Sequence, residues 1–272
     1  MPTSGESVRL ARLFSESQRA VVIAIDHGLY MGPLPGLIDL ASAVGRIGGA
    51  DAILLTSGAV EKCQKVFARR GAPAMMIRLN WASNYVSIWK YQHSHSVPML
   101  SIAEAVALGA DLVLASITLR NPDEAEDAVN VETFSSFVSE KRALGVPLVG
   151  EVFPTGGDDA DPETLQDLVM VGCRMIAELG ADVIKTFYTG PGFEKITAST
   201  PVPILALGSK KTPHEIDALK LAASAVNAGA RGVVFGRNVV QAREPERFLE
   251  ALMEVVKQGK DPEVVFKKLG LS

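Results

Sequence analysis

Lys185 is the residue of this 272-residue chain whose setting most needs a chemical explanation. It stands inside Ala181-Asp-Val-Ile-Lys-Thr-Phe187, a run otherwise too apolar to hold a charge comfortably. A lysine in such a place either reaches an acidic partner or has its affinity for the proton lowered by desolvation and nearby cations. In the second case it is a nucleophilic amine suited to forming a Schiff base with a ketone. In the first it is an ion pair, with Asp26 or Glu151 as partner, or a side chain that snorkels. Position alone leaves both readings open.

Two carboxylates raise the same question. Asp26 follows Val21-Val-Ile-Ala-Ile25 and precedes a turn-rich stretch with Gly28, Gly32 and Pro33. It fits a general base at a strand end, and equally a loop cap made through backbone amides. Glu151 shares a period-two face with Val149 and Phe153, and glutamate is seldom buried without a partner. If that face is an interior, Asp26, Glu151 and Lys185 converge on one cavity and shift one another's pKa values. Gly208-Ser209 and Gly236-Arg237, with Lys210 and Lys211 alongside, read as an anion site or as ordinary glycine turns beside surface bases. His93 and His95, in Tyr91-Gln-His-Ser-His-Ser96, offer two ligands to a metal where three or four must converge, and no carboxylate or cysteine adjoins them in sequence. They read as loop or interface residues, and Trp81 and Trp89 as packing.

The elements that position these residues are announced by a repeat. Gly48-Gly-Ala-Asp51, Leu108-Gly-Ala-Asp111 and Leu179-Gly-Ala-Asp182 each introduce an aliphatic run, with looser copies at Leu144-Gly-Val-Pro147 and Ala228-Gly-Ala-Arg231. The pattern predicts a helix ending on a left-handed glycine, followed at once by a strand. The runs are continuous rather than alternating, as in parallel strands buried on both faces. Eight strands are predicted, near residues 20–26, 51–56, 74–80, 111–118, 147–153, 181–187, 202–207 and 231–236. Helices lie between most of them. Ser101-Ile-Ala-Glu104 and Thr212-Pro-His-Glu215 read as capping boxes, the second with proline at the first helical position, and 161–180 reads as an amphipathic helix.

This is the layout of a single-domain TIM (β/α)8 barrel spanning about 20–258, with an N-terminal helix at 5–15 and a C-terminal helical extension at 261–270. A doubly wound sheet would carry a glycine-rich dinucleotide loop after the first strand, and none follows Asp26. In a barrel the chemistry belongs at the C-terminal ends of the strands and the loops just after them, where Asp26, Glu151, Lys185, Gly208-Ser209 and Gly236-Arg237 fall. The composition agrees: 47% hydrophobic, 6% aromatic, two cysteines and a net charge of −4. That charge argues against nucleic acid as a partner, the two distant cysteines suit a reducing compartment, and no apolar run is long enough to span a bilayer. Residues 1–18 hold no apolar signal core, so a cytoplasmic location is expected.

Asp26-His-Gly-Leu-Tyr-Met-Gly-Pro33, Val183-Ile-Lys-Thr-Phe-Tyr-Thr-Gly190 and Val234-Phe-Gly-Arg-Asn238 resemble the archaeal-type class I fructose-bisphosphate aldolase superfamily, which includes the autoinducer-2 thiolase and the aminodideoxyheptulosonate synthases. The resemblance runs from Val21 to Val256. It implies a barrel in which Lys185 forms the Schiff base, Asp26 assists proton transfer, and Gly208, Ser209, Gly236 and Arg237 hold a substrate phosphate. It also implies a ring-shaped homo-oligomer, a pentamer or decamer. His27, Asn80 and Tyr188, each near a strand end, complete the candidate substrate-binding set.

The chain departs from the family pattern in two places. Aldolases of the group carry Tyr-Pro-Arg-Gly after the fifth strand, its tyrosine the proton donor, with an aromatic residue two places earlier. Here the segment is Glu151-Val-Phe-Pro-Thr-Gly156, and Phe153 has no hydroxyl. The phosphate turn is Gly208-Ser-Lys-Lys211 in place of Gly-Gly and a following lysine. Both weaken the case for fructose 1,6-bisphosphate as the natural substrate. A carboxylate beside a Schiff-base lysine resembles the transaldolases, where glutamate and water manage the protons.

The expectation is therefore a Schiff-base lyase or transferase acting on a phosphorylated, or similarly anionic, ketose, with no metal or organic cofactor required. One rival is a thiolase that transfers an acyl group from a phosphorylated diketone to coenzyme A. Others are a metal-assisted aldolase using His93 and His95, and a non-catalytic barrel acting as an oligomeric binding module.

Overall fold

A computed structural model describes residues 2–91, 93–154 and 161–271. Its strands are β1 (Ala20–Ala24), β2 (Ala52–Leu55), β3 (Ala74–Arg78), β4 (Asn80–Ala82), β5 (Ser96–Pro98), β6 (Leu112–Ile117), β7 (Leu148–Val152), β8 (Val183–Phe187), β9 (Ile204–Leu207) and β10 (Gly232–Phe235). Eight of them close into a parallel barrel in the order β1-β10-β9-β8-β7-β6-β3-β2, the TIM barrel predicted. β4 and β5 pair antiparallel as a separate hairpin, which the sequence reading missed. The third strand was predicted to run on to residue 80. It stops at Arg78 because the Asn80 side chain takes over at the edge of β6: its amide donates to the Ser116 carbonyl at 2.8 Å, and its carbonyl accepts the Ser116 N–H at 2.8 Å. The backbone is thereby released into the hairpin.

The Gly-Ala-Asp repeat has a mechanical meaning. Gly109 and Gly180 are left-handed, with φ of 101° and 120°, while Gly48 and Gly49 are not, so the first copy turns differently. The aspartate after each turn accepts the backbone N–H of the neighbouring strand. Asp51 bonds Val21 on β1, Asp111 bonds Met75 on β3 and Asp182 bonds Leu148 on β7, at 2.8, 3.1 and 2.8 Å. Each also holds a cation: Lys257, Arg12 and Lys141 respectively. This rim is the N-terminal end of the barrel, opposite the candidate chemistry.

That end is closed by the helix Ser4–Phe14, whose Leu13 and Phe14 pack with the inward-facing Ala20, Val22, Leu54, Met76, Leu112 and Val183. The other apolar cluster lies between the strands and the surrounding helices. The C-terminal extension is a helix at Pro262–Lys268 and the amphipathic helix spans Pro162–Leu179.

Ser101 and Glu104 form the capping box expected of them. The second box does not form. The helix starts at Glu215 with His214 as its cap, and Pro213 lies outside it. Thr212 is drawn away, its N–H and hydroxyl bonding Asn238 Oδ1 at 2.8 and 3.2 Å. Cys63 and Cys173 are buried thiols. Among the described residues no helix is long and apolar enough to cross a membrane.

Candidate active site

Register brings the two central groups together. Ser116, Glu151, Lys185 and Leu205 occupy one rung across β6, β7, β8 and β9. Side chains alternate along a strand, so the inward positions Val149 and Val183 place Glu151 and Lys185 inward as well, one layer nearer the C-terminal mouth. They meet as an ion pair, Lys185 Nζ to Glu151 Oε1. Lys185 is 7% exposed and Glu151 2%. Of the two settings open to Lys185, the structure supplies the acidic partner.

Arg78, the last residue of β3, completes the cluster and is 1% exposed. Its Nε donates to Asp26 Oδ2 at 2.5 Å and an Nη to Glu151 Oε2 at 2.7 Å. Asp26 is thus tied to Lys185 through Arg78 and Glu151. The guanidinium carbon lies 5.2 Å from the centroid of the Tyr30 ring and 5.5 Å from that of Tyr85, in cation–π range. The sequence reading gave Arg78 no role. The signal was there: with Ala74 and Met76 inward, parity turns an arginine toward two carboxylates at the same depth.

The charges set one another. Burial would raise the Asp26 carboxyl, but the Arg78 and Lys185 charges outweigh it and hold the group at about 2. Glu151 is pulled down in the same way, burial being outweighed by Arg78 and Lys185 while Asp26 opposes. His27 is lowered to about 4, first by burial and then by the Lys185, Arg237 and Arg78 cations, against the pull of Asp26. At neutral pH the site therefore holds two carboxylates and a neutral imidazole.

These groups line a cavity of about 360 Å³ at the C-terminal mouth. One wall is Gly208, Ser209, Lys210, Gly236 and Arg237, from the turns after β9 and β10. Glycine is required at Gly236, where a Cβ would lie 2.2 Å from His27 Cε1 and 2.8 Å from the Ala24 carbonyl. Ser209 is left-handed, with φ of 52°, a conformation more usual for glycine. Arg237 donates to the Ser209 carbonyl at 2.8 Å. Asn238 fixes the same turn, donating to Gly208 O at 2.9 Å and Lys210 O at 3.3 Å, so the Gly-Arg-Asn motif shapes both turns. Lys211 points away and bonds the Gln241 carbonyl at 2.7 Å.

The facing wall comes from the hairpin and the loop after β6: Asn84, Tyr91, His93, Ser94, Thr118 and Asn121. Here the structure corrects the view of His93 and His95 as lacking a carboxylate. Glu126, from the helix Glu124–Leu144, lies 2.8 Å from His93 Nδ1 and 3.8 Å from His95 Nε2. Even so, no set of three or more ligating residues that could hold a metal ion occurs among the described residues.

Of the ten candidate residues, eight line the cavity and Asn80 and Tyr188 do not. The Asn80 amide is committed to Ser96 and Ser116. The Tyr188 ring packs edge-on against Phe193 at 5.3 Å. Phe153 faces the cavity beside Tyr85, and its neighbours Thr155 and Gly156 lie outside the described residues.

A closed parallel barrel with a buried lysine–carboxylate pair at the C-terminal mouth has the build of a carbonyl-chemistry enzyme. The sequence profile of the "DeoC/LacD family aldolase" group matches residues 20–242, and the chain belongs to that family. It is 32% identical over 262 residues to an uncharacterized aldolase of Saccharolobus solfataricus, covering 94% of this chain and 96% of the relative. It is also 32% identical over 266 residues to the 3-hydroxy-5-phosphonooxypentane-2,4-dione thiolase of Yersinia enterocolitica, covering 97% and 86%. Among solved structures it superposes with a TM-score of 0.78, at 28% identity and over 93% and 99% of the two chains, on an archaeal fructose-1,6-bisphosphate aldolase. In that structure the catalytic Lys is covalently bound to the carbinolamine intermediate of the substrate. The protein is an enzyme of the class I, Schiff-base aldolase kind.

Proposed function

We propose that Lys185 is the Schiff-base lysine and that the substrate is a ketose carrying one phosphate or a similar anion. Glu151, already paired with Lys185, takes a proton from the ammonium, and the free amine adds to the ketone carbon. The carbinolamine regains that proton on oxygen and loses water, leaving an iminium that draws electrons from the adjacent C–C bond. Asp26, ionised at neutral pH, accepts the proton of the substrate hydroxyl as the bond breaks. Arg78 holds both carboxylates at fixed angles. The turn at Gly208-Ser209 and Gly236-Arg237, with Lys210, takes the anionic end, and His27 lies between that turn and Asp26.

The observation that carries this reading is the Lys185–Glu151 pair on one barrel rung inside the cavity. Borohydride reduction in the presence of phosphorylated ketoses, followed by mass mapping, tests it. The adduct is expected on Lys185 and absent from Lys185→Met, and Glu151→Gln should turn over at least about 100-fold more slowly. An adduct elsewhere, or none with any ketose phosphate, overturns the assignment.

The Yersinia relative and the absence of a hydroxyl on Phe153 favour one second reading, acyl transfer from a phosphorylated diketone to coenzyme A. Dependence of turnover on coenzyme A separates it from C–C lyase activity. The reading extends to a cytoplasmic homo-oligomer. The two buried reduced cysteines support the location, and the exposed Ile38, Ile88 and Trp89 supply apolar surface for association.

A further inference from the structure

Cleavage through an iminium leaves an enamine, and the enamine carbon must gain a proton before product can leave. Asp26 by then holds the proton it took from the substrate hydroxyl, Glu151 is ionised at neutral pH and His27 is neutral. A group that passes the Asp26 proton on to carbon completes the cycle. The cavity lining contains three phenols, Tyr30, Tyr85 and Tyr91, of which Tyr91 is exposed on the outer wall. Tyr30 directs its hydroxyl toward the Asn80 carbonyl at 3.5 Å. The Tyr85 hydroxyl is buried, with the Ser116 hydroxyl as its polar neighbour, and it meets strict hydrogen-bond geometry with no described residue.

Tyr85 is held from three sides. Its ring lies 4.8 Å from that of Tyr30 and 4.3 Å from that of Phe153, and Arg78 sits 5.5 Å from its centroid. Phe153 stands two residues beyond Glu151 on the same inward face, one layer nearer the mouth, and Ser116, the polar neighbour of the phenol, lies on the Lys185 rung.

We propose that Tyr85 delivers the proton to the enamine carbon. The inference rests on Lys185 carrying the iminium. The enamine C=C pair takes the proton from Tyr85 Oη to form a C–H bond, and the nitrogen lone pair restores C=N⁺ on Lys185. The phenolate left behind faces the Arg78 guanidinium. Asp26, which accepted the substrate hydroxyl proton during cleavage, returns it to Tyr85 Oη. Water then hydrolyses the iminium. The hydroxyl proton has moved to carbon overall, and neither oxidant nor reductant is needed. Burial, reinforced by Glu151, keeps the phenol protonated well above its ordinary range, while Arg78 and the nearby Ser116 hydroxyl offset this in part.

The test uses the intact enzyme with dihydroxyacetone phosphate as probe. Two readouts are followed: borohydride trapping on Lys185, and exchange of solvent deuterium into the carbon beside the carbonyl, seen by proton NMR. Tyr85→Phe should trap within a few-fold of the wild type and exchange at least about 100-fold more slowly. Equal exchange in Tyr85→Phe and wild type overturns the proposal. So does loss of trapping in a variant with native near-UV circular dichroism, because Tyr85 would then act before the iminium. If Tyr85→Phe does not fold, a fluorinated tyrosine at position 85 keeps the ring and lowers the phenol pKa. The alkaline limb of exchange should then move toward acid, and an unmoved limb overturns the proposal. A wild-type enzyme that neither traps nor exchanges removes the Lys185 assignment itself, and this proposal with it.

Discussion

His27 shows what the crowding of charge costs a single residue. It is kept neutral by burial first and by three cations after that, so its folded pKa of about 4 lies below the ordinary 6.5. A group lowered in this way binds its proton more readily once the chain unfolds. Its contribution is therefore full above pH 6.5 and is lost as the pH falls from 6.5 toward 4. Replacing it removes that dependence. Between pH 6.5 and 4, wild-type stability should fall by on the order of 3 kcal/mol more than that of His27→Gln. Urea melts at half-unit pH steps measure it, and parallel curves would refute it. Asp26 adds a second loss at lower pH, between its ordinary value and about 2. At this scale Lys185, Asp26 and Glu151 were legible as charges on apolar strands. Arg78 was harder to read because its meaning comes from partners 52 and 73 residues away. Tyr85 was invisible because the hairpin that presents it has no strong period.

The elements divide into two rims with different duties. The N-terminal rim is built by the aspartates of the repeat, each tying a turn to the preceding strand of the barrel and to a cation. Asp182 is the most committed, accepting from the Leu148 N–H at 2.8 Å and from Lys141 at 2.6 Å, with Lys141 also 3.3 Å from Glu6. Asp182→Ala should destabilise the fold by about 2–4 kcal/mol, since it strands a strand N–H and half of a buried ion pair. It should leave kcat within about two-fold, because Asp182 lies on the opposite rim and does not line the cavity. A urea midpoint and a rate measured well below that midpoint decide it; a collapse of kcat in the folded variant would refute the division. The repeat was readable because continuous apolar runs and Gly-Ala-Asp turns are local signals. The hairpin of β4 and β5 was not, because it depends on Asn80 meeting Ser116, a contact made only once the barrel closes. The failed capping box at Thr212 has the same cause: Asn238 competes for that hydroxyl from 26 residues away.

For the molecule as a whole, the consequence is a barrel closed at one end and open at the other. The interior runs from Leu13 and Phe14 at the base, through alanine, valine, leucine and methionine side chains, to the charged layer of Asp26, Arg78, Glu151 and Lys185. The charged layer is tolerated because its members neutralise one another. The apolar layers beneath it give those side chains a fixed floor, and the helix Ser4–Phe14 seals that floor from water. Stability and chemistry are therefore separable along the barrel axis. Leu13 is fully buried, so Leu13→Ala leaves a cavity at the base and should cost roughly 2–5 kcal/mol. For a chain of this size that is a fall in Tm on the order of 10 °C. Because several apolar layers lie between it and Lys185, borohydride trapping at 25 °C should stay within about two-fold of the wild type. If trapping fell in step with stability, the floor would be loosening the charged layer directly. Differential scanning calorimetry beside the trapping assay on the same preparation distinguishes the two, and the layered packing calls for the first.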